Sequence, residues 1–228
     1  MFEPVYTTAS QVRSARVGAP GRSAWAPLGL AAGCAAAAAL LYLISTRVPA
    51  VRVRDASLLY HATLLRGPAI EAAGNFLLAL LEPLLFVLWG GAALAIALAR
   101  GRPRLGIAAV AMMALAPLTS ETLKPLLAHR HASVGGVHIG AASWPSGHST
   151  AALSLALAAV IVAPASRRRL VAIVGAAFAA IVGVVLLILS WHMPSDVLGG
   201  YLVAAMWGAL ALAALRGAER LRPSPGPA

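Results

Sequence analysis

Lys124 is the only lysine in this chain, and it closes one long apolar stretch; Pro145-Ser146-Gly147-His148 and His192-Met193-Pro194-Ser195-Asp196 open two others. Together they supply an ammonium, two imidazoles, a hydroxyl and a carboxylate, the parts of a site that handles a phosphate ester. The start of a helix exposes unpaired N–H groups and the positive end of its dipole, and both favour an anion. Ser146 suits the capping position, and Gly147 lets backbone come close to a phosphate oxygen. Alone, this tetrapeptide reads equally well as a plain helix cap. In the second motif Pro194 fits the first helical position, which puts Asp196 in the first turn and His192 just outside it. The carboxylate can then fold back to one ring nitrogen, fix the tautomer and leave the other nitrogen free to attack. Alone, it is a helix-start aspartate beside an interfacial histidine. Lys124 either snorkels to the boundary or pairs with Glu121, three residues earlier, unless its contrast with the arginines used at every other basic position reflects a specific role.

The elements that must position these groups are set by composition. Hydrophobic residues make up 60% of the 228, charged residues 11%, and the mean hydropathy is +0.83, which places the chain in the membrane class. A hydrocarbon core about 30 Å thick takes roughly 20 apolar residues as a helix. Six stretches meet or approach that length, near Pro27 to Ser45, Phe76 to Leu98, Leu105 to Leu123, Ser149 to Val162, Leu170 to Leu189 and Val197 to Leu215. The fourth is short, and starting it at Pro145, in the first helical turn, restores a spanning length. Ala56 to Leu65, flanked by Asp55 and Arg66 and containing His61, reads as a surface helix or a loop. The expected fold class is therefore all-α, a polytopic bundle of six transmembrane helices.

Seventeen of the eighteen basic residues are arginine, and with six spans twelve basic residues fall on one side against six on the other. The positive-inside rule makes the richer side cytoplasmic, puts both termini there, and puts every motif above on the extracytoplasmic face. Residues 1–24 and 217–228, rich in Pro, Gly, Ser and Arg, read as cytoplasmic tails around a membrane domain at 25–216, with its chemistry in 105–215. A polar lead of about 25 residues and a proline argue against cleavage of the first span as a signal peptide after Val48-Pro49-Ala50. Cys34, the one cysteine, reads as packing inside the first span. The net charge of +11 does not imply nucleic acid, because no basic, aromatic-studded module is present.

The order Lys124, Pro145-Ser146-Gly147-His148, His192-x-x-x-Asp196-Val197-Leu198-Gly199-Gly200 resembles the type 2 phosphatidic acid phosphatase superfamily, membrane lipid phosphatases with six spans. The resemblance covers about Leu105 to Leu215. It implies a phosphohistidine mechanism without metal: His192 attacking phosphorus, Asp196 orienting it, His148 protonating the leaving oxygen, and Lys124, Ser146 and the Gly147 N–H holding the phosphate. Opposed protonation states of the two histidines would give a bell-shaped rate profile against pH.

Two motifs depart from the family pattern. The arginine that the first motif places seven residues after the lysine is His131 here, with Arg130 one residue early, a shift of about 100° on a continuing helix. Arg130 and His131 are the candidates for that phosphate contact. The Ser-Arg pair of the third motif is replaced by Val185 and Leu186. One lost charge-assisted contact costs about 1.5 to 3 kcal/mol, a gap that Arg130 or an arginine of the first outer loop would have to fill. No helical His-Glu-x-x-His or cysteine pair supports a metal site, so no cofactor is expected. The expected partners are a lipid phosphate or diphosphate and the bilayer. A catalytically impaired relative that binds lipid phosphates or scaffolds an envelope complex is the alternative, favoured by Leu186. A transporter finds its only hint in Glu82-Pro83, which a kink or an interfacial pair explains more simply.

Overall fold

The computed structural model describes residues 25–220; most of the two tails lies outside that range. The described residues form eight helices and no strand: α1 (Trp25–Arg47), α2 (Pro49–Thr63), α3 (Pro68–Ala79), α4 (Pro83–Ala99), α5 (Pro103–Leu126), α6 (Gly147–Val162), α7 (Arg168–Ile188) and α8 (Pro194–Arg220). Five of them, α2 to α5 and α8, begin at proline, which costs nothing where the N–H has no helical partner. Four helices, α1, α5, α7 and α8, are long and apolar enough to cross a membrane. The pair α3 and α4 is a fifth if its 55° bend at Glu82-Pro83 lies within one span. At 16 residues α6 stays short, because Pro145 does not join it: Trp144-Pro145 is a cis bond outside the helix, and Ser146 is the cap. The expectation of Pro145 in the first helical turn is corrected accordingly. The segment at Ala56 to Leu65 resolves as a helix, α2, with Ala56 and Leu59 buried.

The bundle has two chemically distinct ends. At one, Arg100 donates to the Val162 carbonyl and Arg104 Nη1 to the Ala218 carbonyl at 3.3 Å, so the loops carrying the arginine-rich stretches lie together. At the other, the Tyr42 hydroxyl at the end of α1 donates to Leu127 O at 3.2 Å, and Ser146 N–H donates to Asp196 O at 2.9 Å. All the motifs gather at this second end. Large apolar side chains such as Leu40, Val87, Ile107, Ile173 and Leu198 project outward, as lipid contact requires, while the seams between helices use small residues. A methyl on Gly175 of α7 would come within 2.8 Å of Ala156 Cβ on α6, so the two backbones nearly touch.

Three helices are joined by a buried polar relay behind the motifs. Ser120 Oγ on α5 lies 2.7 Å from Thr150 Oγ1 on α6 and can donate to it. The Thr150 hydroxyl in turn donates to Ser146 O at 2.8 Å and Gly200 O at 3.1 Å, the latter on α8. The paired glycines after Asp196 have a steric reason as well. A Cβ on Gly199 would sit 2.8 Å from the Trp144 indole nitrogen, and one on Gly200 would sit 2.5 Å from Ser146 O, a backbone atom that cannot swing aside. Gly200→Ala is therefore expected to prise α8 from α6 and to cost about 1 to 3 kcal/mol. A lower melting temperature in detergent checks this, and an unchanged one would mean that the α6–α8 contact is looser than described.

Candidate active site

The turn between α7 and α8 carries the first half of the site. Ser190 adopts φ 54°, and Trp191 N–H reaches back to Leu186 O at 2.9 Å, which ends α7 and turns the chain toward α8. Pro194 takes the first position of α8 and Asp196 lies in its first turn, as the local rules require. His192 Nδ1 then stands 3.5 Å from Asp196 Oδ2, with the histidine nearly buried and the aspartate fully so. Asp196 Oδ2 also accepts the Met193 N–H at 3.0 Å, whereas Oδ1 is buried without a hydrogen-bond partner. A separation of 3.5 Å is too long for a firm hydrogen bond, yet catalytic contacts of this kind commonly shorten only when substrate is bound. With the carboxylate on the Nδ1 side, Nε2 is the nitrogen that does not face it.

The start of α6 supplies the second half. Ser146 caps α6, its hydroxyl oxygen accepting Ser149 N–H at 3.3 Å, and its own N–H is anchored on Asp196 O. That bond ties the two motifs together through the backbone. His148 stacks edge-on against Trp191 at 5.5 Å between ring centres and lies within electrostatic reach of His192, Glu82, Lys124 and Glu121. Lys124, in the last turn of α5, pairs with Glu121 at 2.6 Å. The pair sits over Gly147: a Cβ there would come within 2.5 Å of Glu121 Oε1 and 3.4 Å of Lys124 Nζ. Gly147→Ala is therefore expected to lower turnover about tenfold to a hundredfold by displacing the ammonium, a charge-assisted contact worth roughly 1.5 to 3 kcal/mol. Stability should barely change, since the crowded atoms are the ends of flexible side chains; phosphate release together with a melting curve tests both halves.

Lys124, Ser146, Gly147, His148, His192 and Asp196 are thus neighbours at one bundle end. His131 lies at their margin, within electrostatic reach of Asp196 and His192, and lies 2.8 Å from Ser143 Oγ through Nε2. Burial pushes its imidazole below the ordinary value, so at neutral pH it offers a hydrogen bond and no charge. Arg130 is exposed, and it is its carbonyl that contacts α2, accepting Arg52 Nη2 at 3.0 Å. Leu186 leaves no space for a cation: it is fully buried among Leu78, Ala152, Val182 and Leu189. Two residues that the motifs do not announce also border the site. Arg52 and Asp55 of α2 line one recess with His129, Arg130, His131 and Met193.

The family model of the PAP2 superfamily matches residues 76–220, well over half the chain. The chain belongs to the PAP2 superfamily. Its fold agrees with the crystal structure of a transmembrane PAP2-type phosphatidylglycerolphosphate phosphatase from Bacillus subtilis, with a TM-score of 0.69 and 22% sequence identity over 85% of this chain and 99% of that one. No curated protein matches the sequence. This PAP2 protein is therefore an all-helical membrane protein whose family supports a phosphatase role, and the match takes in every motif from Lys124 to Gly200.

Proposed function

We propose that this PAP2 protein hydrolyses a lipid phosphate or diphosphate at the extracytoplasmic leaflet by way of a phosphohistidine. His192 Nε2 attacks phosphorus in line with the lipid oxygen, the P–N bond forms as the P–O bond breaks, and protonated His148 gives its proton to the departing oxygen. His148 then takes a proton from water, the hydroxide attacks the phosphohistidine, and inorganic phosphate leaves with His192 restored. Asp196 holds the Nδ1 proton throughout and balances the positive ring. The ammonium of Lys124, the Ser146 hydroxyl, the Gly147 N–H, and Arg130 with His131 at the margin neutralise or bond the phosphoryl oxygens, which is most of what phosphoryl transfer asks of a protein. No step calls for a metal.

The observation that carries this reading is the convergence of Lys124, Gly147, His148 and the His192–Asp196 pair on one bundle end, contributed by α5, α6 and the start of α8. The arginine-rich loops lie at the opposite end, so the basic-residue bias supports a site facing away from the cytosol, a six-span topology and cytoplasmic termini. Phosphate release from phosphatidate, phosphatidylglycerol phosphate and polyprenyl diphosphate by detergent-solubilised protein, with chelator present, tests the reading. Turnover of at least one supports it; none with any of them contradicts it. The burial of Leu186 favours a second reading, a relative that binds lipid phosphates without turnover, which predicts saturable binding in the same experiment and no released phosphate.

A further inference from the structure

The helix α2 belongs to none of the motifs, yet it touches the turn that carries His192 and Asp196 and the stretch that carries Arg130. Asp55 reaches α8 across 140 positions of sequence: its Oδ1 accepts the Ser195 N–H at 3.1 Å and its Oδ2 accepts the Ser195 Oγ–H at 2.6 Å. Ser195 is the second residue of α8, so its N–H is one of the donors a helix leaves unsatisfied, and Asp55 caps it from another element. One turn earlier on α2, Arg52 Nη2 holds the Arg130 carbonyl at 3.0 Å. Beneath them, Ala56 and Leu59 pack with Met193, the residue between His192 and Pro194.

We propose that Asp55 is a positioning residue for the nucleophile: by clamping the first turn of α8 from α2, it keeps the Asp196 carboxylate against His192. The clamp acts one residue before Asp196 and three after His192, on a pair whose 3.5 Å separation is already at the limit of useful contact. An apolar contact would join α2 to α8 without removing a carboxylate from water. Burial does push the Asp55 carboxyl up, while the two Ser195 bonds pull it down, so the site holds a carboxylate where packing alone would be less costly.

The catalytic part of this inference rests on the phosphatase reading, and its test is built to separate the two. Misplacing a reacting group by about 1 Å costs up to roughly a hundredfold. Asp55→Ala is accordingly expected to lower kcat between about tenfold and a hundredfold, with KM within about twofold of wild type. Asp55→Asn should recover most of that loss, because its amide oxygen still accepts the Ser195 N–H and its amide nitrogen can donate to the hydroxyl. Backbone hydrogen exchange over residues 190–197, measured in detergent, should rise in Asp55→Ala and stay near wild type in Asp55→Asn. If Asp55→Ala is not recovered folded, Ser195→Ala removes the 2.6 Å bond alone and should show a smaller, severalfold loss with the same exchange signature. Wild-type kcat in Asp55→Ala, equal impairment of the Ala and Asn variants, or unchanged exchange would each overturn the clamp. If the wild type releases no phosphate, the phosphatase reading fails, and the exchange comparison still decides whether Asp55 holds the turn.

Discussion

His192→Ala is expected to lower phosphate release by at least about a thousandfold, because it removes the atom to which phosphorus becomes bonded. Lys124, Ser146 and Gly147 would remain, so lipid phosphate should bind the variant nearly as well as it binds the wild type, and the loss should fall on kcat. The fold should survive. The turn around position 192 is held by backbone bonds from Ser190 to Leu187, from Trp191 to Leu186 and from Asp196 to Met193, and by the Asp55–Ser195 contact, none of which uses the imidazole. Initial rates of phosphate release with saturating lipid, beside a melting curve for each protein, check both points. A variant that keeps a tenth of the wild-type rate would place the nucleophile elsewhere.

Asp196→Asn should cost about a hundredfold to a thousandfold in kcat while leaving the protein as stable as before, or more so. The amide has the shape of the carboxylate, and its oxygen can keep the Met193 N–H at 3.0 Å. One position, that of Oδ2, serves both the Met193 N–H and His192 Nδ1, so the same amide oxygen still faces the ring and the NH2 group takes the place of Oδ1. The loss in rate comes from charge: the neutral side chain no longer balances the ring once phosphorus is bonded. Stability should move the other way, because Asp196 is fully buried and its Oδ1 has no hydrogen-bond partner; an uncompensated buried charge is costly, and the amide removes it. Kinetics and thermal unfolding of the same preparation test the pair of expectations. An active Asp196→Asn would show that turnover does not need the carboxylate's charge.

The parts of this molecule that could be read in the sequence are those governed by local rules. Pro194 at the first position of α8, Asp196 in its first turn, Ser146 as a cap and the Glu121–Lys124 pair each follow from a span of four residues or fewer. The apolar stretches mark the helices because lipid leaves few other residues for them. What stayed hidden depends on chain segments that meet only in the folded bundle. The Asp55–Ser195 contact joins positions 140 apart, and no periodicity or spacing connects them. The fate of Leu186 was equally hidden: a missing arginine suggests a hole to be filled by another cation, whereas α7 turns that position into the apolar core. The rule that admits proline to a first turn does not say whether the turn has yet begun, and α6 starts at Gly147, two residues after Pro145.

Covalent chemistry at His192 is the most direct test of the central claim. Protein quenched during turnover in denaturant at alkaline pH, where a phosphohistidine survives, can be digested and its peptides mapped by mass spectrometry. A phosphoryl group on His192, absent from His192→Ala and from protein given no lipid substrate, is the predicted result. Phosphate carried by a different side chain, or steady turnover with His192 never modified, would contradict it.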